Sequence, residues 1–193
     1  MKYKKIVSLC KEEKTVVSSA SDSGELTWFG TNKALYPAYG LSVMTASEIL
    51  RMNDVPEDKL EEYSTLDLPF TFDVDRLEKY TDQVIEPLNM QIELRGTRYK
   101  LFCDAEKAVL FVESAYTAPY ADVTEEKLYI LRQTSAGLRY IVVFRGLTPL
   151  AVLIPQKVPV PDLLYMESSM IARTARREIE SKQEDAQAEQ TTL

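Results

Sequence analysis

The sequence of 193 residues contains no histidine, and it has only two cysteines, one tryptophan and six isolated glycines. Without histidine, the chain lacks the commonest general base and the commonest metal ligand, which excludes Ser-His-Asp and Cys-His catalytic systems within it. No Gly-x-Ser-x-Gly, Walker or Gly-x-Gly-x-x-Gly motif is present, so the corresponding nucleophile and phosphate-binding loops are also excluded. We therefore expect that the protein is not an enzyme and uses no cofactor.

The two cysteines, Cys10 and Cys103, are too few and too far apart for a disulfide framework or a zinc site, and both are interpreted as small core residues in a reducing compartment. Long apolar runs are also missing. The stretch 6–10 contains a serine and ends at Lys11, so it is too short for a signal-peptide core. No run approaches the roughly 20 residues of a membrane span. These absences predict a soluble, cytoplasmic protein.

What is present is an ordinary globular composition, with 45% hydrophobic and 27% charged residues. The length suits one domain, which can bury roughly 70% of the surface of its unfolded chain. The formal net charge is −7. An acidic balance of this size argues against direct binding of nucleic acid or of an anionic membrane, since both require a surplus of lysine and arginine.

The hydrophobic periodicity predicts an α+β fold. Apolar residues at helical spacing predict an N-terminal helix over 2–13. Thr45 and Glu48 form a capping box that starts a second helix, Pro56 opens a third, and Asp73 or Val74 opens a fourth. Runs with a period of two follow, joined by short turns. The expected architecture is an antiparallel meander of about five or six strands with an N-terminal helix, short acidic helices and a C-terminal helix.

One hairpin has a specific predicted register. Alternating apolar residues before and after Gly96-Thr97 favour a two-residue loop at that dipeptide. In this register Leu94 lies opposite Tyr99 and Ile92 lies opposite Leu101, with every apolar pair on one face.

The chain divides into three predicted parts: an α+β globular domain over 1–157, a linker and C-terminal helix over 158–180, and a disordered tail over 181–193. The linker is the stiff repeat Val-Pro-Val-Pro. Leu163, Met166 and Met170 form an apolar stripe on the last helix, which can dock on the body or join a second copy; the homodimer is slightly favoured.

Two carboxylate motifs permit metal chemistry in principle. Asp73 and Asp75 form an Asp-x-Asp pair that can bind a divalent ion, but here they are better explained as the start of a helix. The Glu-x-Lys within residues 57–59 resembles a nuclease motif but lies in a helical first turn rather than on a core strand. The sequence therefore predicts no metal site.

The distribution of charge is uneven. Residues 44–86 contain twelve acids and four bases, a net charge of −8, whereas the remainder of the chain is close to neutral at +1. Either this segment is a solvated face that aids solubility, or it docks on a basic partner such as a nucleic-acid-binding protein. Its densest part is the acidic surface of Glu57, Asp58, Glu61 and Glu62.

The aromatic group of Trp28, Phe29, Tyr36 and Tyr39 also has two interpretations. Aromatic side chains form cores, and they also line ligand pockets. Core packing is preferred, and the alternative is a loop of Trp28, Tyr36 and Tyr39 that contacts a ligand or a partner. That alternative corresponds to a small-ligand or nucleotide-binding module.

The sequence resembles a group of small proteins of bacteriophages and prophages of gut Firmicutes, over most of residues 1–155. The residues that carry the resemblance are Met1-Lys2-Tyr3-Lys4, Ile6-Val7, Leu9-Cys10, Trp28-Phe29-Gly30, Ala34-Leu35-Tyr36-Pro37, Tyr39-Gly40-Leu41, Arg139-Tyr140-Ile141 and Leu150-Ala151-Val152-Leu153-Ile154-Pro155. None of these is a catalytic motif. The resemblance implies an accessory protein of a mobile element, and such proteins often inhibit host defence by binding, as anti-CRISPR proteins do. The expected function is therefore non-catalytic inhibition of a bacterial defence protein through an acidic surface.

Overall fold

The computed structural model describes residues 2–20, 26–75 and 82–156. Its helices are α1 (Tyr3–Glu13), α2 (Ala46–Met52) and two 3₁₀ helices, η1 (Glu57–Glu62) and η2 (Ser114–Tyr120). Its strands are β1 (Thr15–Ala20), β2 (Thr27–Thr31), β3 (Ala34–Pro37), β4 (Ser64–Asp67), β5 (Gln83–Leu94), β6 (Thr97–Cys103), β7 (Val109–Glu113), β8 (Leu128–Gln133), β9 (Arg139–Arg145) and β10 (Thr148–Leu153).

The ten strands of these described residues form one mixed sheet in the order β4-β1-β2-β3-β10-β9-β8-β5-β6-β7. β1 and β4 pair in parallel, and the other neighbours are antiparallel. The prediction of an antiparallel meander of five or six strands is therefore wrong. It did not include β3, and β4 lies in the segment that the prediction assigned to short acidic helices. The pairings of β3 with β10 and of β5 with β8 join distant parts of the chain and leave no local signal in the sequence.

The two ends of the sheet differ. The edge of β7 is bridged by the chain that follows β10, because the Gln156 N–H donates to the Phe111 carbonyl oxygen at 2.7 Å. β4, at the opposite end, is exposed at all four positions. Within the described residues, the uncovered edge of the sheet therefore lies next to η1.

Side chains alternate between two cores on opposite faces of the sheet. On β9, Ile141 and Val143 enter the first core, whereas Val142 and Phe144 enter the second. The first core receives the apolar stripe of α1, including the buried Cys10, and the apolar residues of α2 and η2. This alternation on a strand that is buried on both faces explains the nearly continuous apolar run that its sequence shows.

Among the described residues, the second core is packed by the irregular segment that follows β4. Phe70 stacks on Trp28 with ring centroids 4.8 Å apart, and Phe72 meets Tyr140 edge to face at 5.0 Å. The Asp73 N–H donates to the Tyr140 hydroxyl at 3.0 Å. The fourth helix, predicted to begin at Asp73 or Val74, falls mainly on residues 76–80, which lie outside the described residues; residues 73–75 themselves are not helical.

The first two predicted helices are present as α1 and α2. Thr45 and Glu48 form the full capping box, since the Glu48 N–H donates to Thr45 Oγ1 and the Thr45 N–H donates to Glu48 Oε2 at 2.7 Å. The helix predicted after Pro56 is the 3₁₀ helix η1.

The predicted β5–β6 hairpin exists, but its register is wrong by two residues. The observed loop is Arg95-Gly96, with φ angles of 51° and 79°, and Ile92 pairs with Tyr99 rather than with Leu101. Two consecutive positive φ values are the requirement of a type I′ turn, one of the two-residue turns that match the twist of the strands. Because the shift is even, the apolar side chains keep their face.

Leu101 is fully buried, in a small cluster with Leu88 that is separate from the two larger cores. We expect Leu101→Ala to lower the free energy of unfolding by about 2–5 kcal/mol, since it leaves a cavity as well as losing transfer free energy. Urea denaturation measures this change. The control is Leu147→Ala, at a side chain that is 80% exposed; similar losses for both variants would contradict the assignment.

Two further predictions lie outside the described residues: the domain boundaries at 157 and 180, and the dimer through Leu163, Met166 and Met170. No helix in the described part of the chain is long and apolar enough to cross a membrane.

Candidate interaction surface

The acidic surface is carried by η1, between α2 and β4. The chain is held on both sides of this helix, because Val55 is buried and Tyr63 packs against the first core. Between them η1 has no buried residue. A 3₁₀ helix has three residues per turn, so side chains three positions apart lie on one side. Asp58 and Glu61 therefore share a face that is turned to solvent.

The four carboxylates divide into two pairs. Glu57 accepts from Arg51 Nε at 2.8 Å, and Glu62 accepts from Lys14 Nζ at 2.8 Å. The hydrogen bond from Lys14 holds the pKa of Glu62 below its usual value. Asp58 and Glu61 have no ion-pair partner among residues 2–20, 26–75 and 82–156. These two carboxylates are the part of the surface whose charge is left for another molecule.

β4 follows η1 directly and continues the exposed surface. Leu66 is 41% exposed and Leu68, just beyond the strand, is 49% exposed. Residues 54–67 contain six acids and one lysine, a net charge of −5. The open edge of the sheet and the acidic surface are thus adjacent.

The predicted aromatic group does not come together. Trp28 on β2 and Tyr36 on β3 are each 1% exposed, and they belong to the second and the first core respectively. Tyr39 is 50% exposed, and its hydroxyl donates to the Pro149 carbonyl oxygen at 2.9 Å. The three side chains therefore line no common pocket.

Sequence reasoning missed a buried cation, Arg132 on β8. Its Nε and Nη2 donate to the Asp82 carboxylate at 2.8 and 2.7 Å, and its Nη1 donates to the Asp73 carbonyl oxygen at 2.9 Å. The sequence contained one indication of this site, a single arginine within an otherwise apolar strand. A buried charge needs a partner of opposite charge, so such an arginine indicates a buried ion pair. Asp73 of the Asp-x-Asp pair lies 3.3 Å from Arg132 Nη1, and its carboxylate also accepts from the Asp75 N–H at 3.2 Å. Most of the helix that the sequence predicted from this pair onward lies outside the described residues.

A cleft of about 630 Å³ opens beside Arg132, lined also by Gln83, Glu106 and Arg139. Arg139 is paired with Asp104, whose side chain is 1% exposed. Both arginines are thus already neutralised by carboxylates, which leaves no surplus positive charge for an anionic ligand. Within the described ranges, no group of three or more Asp, Glu, Cys or His residues is placed to hold a metal ion.

A second ionic cluster joins three elements at the end of α1. Lys33 Nζ lies 3.0 Å from Glu13 Oε1 and 2.9 Å from Glu113 Oε1, and the Tyr116 hydroxyl donates to Glu13 at 2.8 Å. Burial alone would raise the pKa of Glu13, but Tyr116 and Lys33 outweigh it and hold that pKa below its ordinary value of 4.5. The cluster ties α1 to the β2–β3 turn and to the end of β7.

This cluster predicts a pH dependence of stability. Because the pKa of Glu13 is lower in the folded than in the unfolded protein, its contribution is present above pH 4.5 and is lost as the pH falls through the folded value. We expect Lys33→Met to lower the free energy of unfolding most near pH 7, and the loss to shrink below pH 4.5 as Glu13 becomes protonated. Urea melts between about pH 3 and pH 7 measure this. Lys4→Met, at an exposed lysine, is the control, and a pH-independent loss in Lys33→Met would contradict the expectation.

Comparison of the chain with protein-family models, with curated proteins and with solved structures found no match. What the protein does must therefore be inferred from its own residues.

Proposed function

We propose that this protein is a non-catalytic interaction protein that binds a basic protein partner through its acidic surface. The observation that supports this most is the position of Asp58 and Glu61, which share the solvent face of a helix without a buried residue. Their neighbours Glu57 and Glu62 are held in ion pairs, which fixes the edges of the surface.

The distribution of charge supports recognition over general solubility. Solubility needs only net charge, which can be spread over the whole surface. Here residues 54–67 alone carry −5, whereas all the residues outside 44–86 together carry +1. A field of one sign on one side of a molecule accelerates encounter with a partner of opposite sign and orients it.

The partner we propose is a bacterial nucleic-acid-binding protein that acts in defence, in line with the resemblance to phage proteins. Arginine pairs bidentately with carboxylates and with phosphates alike. The carboxylates of η1 would then occupy arginine and lysine side chains that otherwise hold a nucleic-acid backbone. This version of the proposal expects the protein and DNA or RNA to compete for the partner.

The alternative, a small-ligand module built on Trp28, Tyr36 and Tyr39, has less support. Trp28 and Tyr36 are buried on opposite faces of the sheet, so a ligand could reach only Tyr39. We do not propose it as the function.

Affinity purification from a bacterial lysate tests the proposal. We expect the wild-type protein to retain a basic protein, and Asp58→Lys/Glu61→Lys to lose it, because the reversed charges repel a basic partner. The variant is specific, since neither position takes part in the ion pairs of Glu57 and Glu62. DNA or RNA added to the lysate should displace the retained protein.

The matched control is Glu106→Lys/Glu126→Lys, which changes the net charge equally at two exposed positions away from η1. The proposal predicts that this control still retains the partner. Equal loss in both double variants would show that only net charge matters, and equal retention would show that η1 is a solvated face.

A further inference from the structure

We propose that the partner contributes an extended segment with alternating apolar and basic residues, which pairs with β4 as an additional strand of the sheet. The inference rests on the proposed function, because it takes the acidic surface to be the place where a basic partner docks. It adds the form in which that partner binds.

In the part of the chain that the structure describes, β4 pairs only with β1, so its outer side has no neighbouring strand. The Ser64 N–H donates to the Lys14 carbonyl oxygen, and the Leu68 N–H donates to that of Ser18, both at 2.9 Å. Backbone groups alternate in direction along a strand, so the N–H and C=O groups of Thr65 and Asp67 point away from β1. These groups have no hydrogen-bond partner among the described residues, and together they offer two donors and two acceptors in a row.

The side chains of this edge favour an apolar match on one face. Leu66 pairs with Val17 of β1 and therefore lies on the face of the second core. Leu68 follows with the same parity, and both leucines remain more than two-fifths exposed. An added strand with apolar residues on this face would cover both leucines and extend the second core.

Natural edge strands are usually protected by short length, charged side chains, proline, a bulge or a covering segment. β4 is short and has one charged residue, Asp67, whose carboxylate accepts from the Ala46 N–H at the start of α2. It contains no lysine or proline, and the first proline after it is Pro69. The opposite end of the sheet is different, because Gln156 bridges β7. The open length is therefore about five residues, from Ser64 to Leu68.

The negative charge around β4 indicates which kind of segment can bind there. The region 54–67 carries −5, so a second copy of β4 would bring the same negative charge to the same place and be repelled. A segment with lysine or arginine at alternate positions is attracted instead. Strand addition of this kind draws affinity from the main chain and specificity from alternate side chains.

A synthetic heptapeptide tests the proposal without altering the protein. The probe is acetyl-Lys-Val-Lys-Val-Lys-Val-Lys-amide, titrated into the ¹⁵N-labelled full chain and followed by amide chemical shifts. Two further peptides carry backbone N-methyl groups, one on the valines and the other on the three lysines that follow a valine. We expect the largest shifts at Thr65 and Asp67, with a loss of affinity of roughly tenfold or more for one methylated peptide only, because alternate N–H groups face opposite sides of a strand.

The outcomes separate this inference from the proposed function. If both methylated peptides bind as well as the unmodified one, strand addition is overturned, and weaker binding to Asp58→Lys/Glu61→Lys would then still support the acidic surface. If one methylated peptide fails while that variant binds normally, strand addition stands and the acidic surface is overturned. The inference would be overturned if the peptide did not bind at millimolar concentration. It would also be overturned if light scattering showed a dimer of this protein in which a second copy occupied β4 and prevented peptide binding.

Discussion

Replacing Arg132 with leucine is expected to lower the free energy of unfolding by about 3–5 kcal/mol. The guanidinium is 3% exposed and the Asp82 carboxylate that it binds is 8% exposed. Removing the cation leaves that carboxylate buried without the two hydrogen bonds at 2.7 and 2.8 Å. The cost of an uncompensated buried charge is much larger than the net contribution of the pair itself.

Urea denaturation of the purified protein measures the effect. Arg145→Leu is the matched control, because it makes the same replacement on the same sheet, at an arginine paired with Glu125 on the surface. Exposed pairs of this kind contribute about 0–1 kcal/mol. The double variant Arg132→Leu/Asp82→Leu should recover part of the loss. Equal effects at Arg132 and Arg145 would contradict the buried ion pair.

Trp28→Ala is expected to lower the free energy of unfolding by about 3–5 kcal/mol, because it leaves a large cavity in the second core. The indole is 1% exposed and stacks on Phe70 at 4.8 Å. The loss of that contact should also loosen residues 68–75, which reach the second core through Phe70 and Phe72. The free energy of unfolding and the hydrogen exchange of this segment are the two measurements.

Tyr39→Ala is the control for Trp28, since Tyr39 is half exposed and belongs to neither core. We expect Tyr39→Ala to lower the free energy of unfolding by no more than about 1 kcal/mol, because it removes the hydrogen bond to the Pro149 carbonyl oxygen. A small effect of Trp28→Ala on stability would argue that the indole serves binding rather than packing.

Local patterns in the sequence predicted local structure. The apolar stripe of α1 and the capping box of Thr45 and Glu48 involve residues a few positions apart, and both are present. The β5–β6 hairpin was found with its apolar face correct, but the loop was misplaced because the sequence does not show that Arg95 adopts a positive φ. Turn chemistry with a residue other than glycine, asparagine or aspartate in that conformation is uncommon.

Architecture depended on distant pairings that composition does not reveal. β4 has no buried residue, so its sequence carries no apolar alternation on a core face, and it was assigned to the acidic helices. Its partner β1 lies about fifty residues away in the chain. A strand that is held mainly by backbone hydrogen bonds to one neighbour cannot be predicted from the spacing of apolar residues.

The stretch of residues that carries the acidic surface is visible in the sequence, but its internal pairing is not. Arg51 and Lys14 reach Glu57 and Glu62 from elements outside η1, and only the fold shows that Asp58 and Glu61 are the carboxylates left over. Arg132 was overlooked for a similar reason, since its partners lie 50 or more positions away.

The most direct measurement of the central claim is the rate of association with the captured partner as a function of salt. We predict that the rate constant for the wild-type protein falls steeply between about 50 and 500 mM salt, since screening shortens the reach of the acidic surface. For Asp58→Lys/Glu61→Lys we predict a slower rate at low salt and a much weaker salt dependence. The same rate and the same salt dependence in both proteins would contradict the claim that this surface recruits a basic partner.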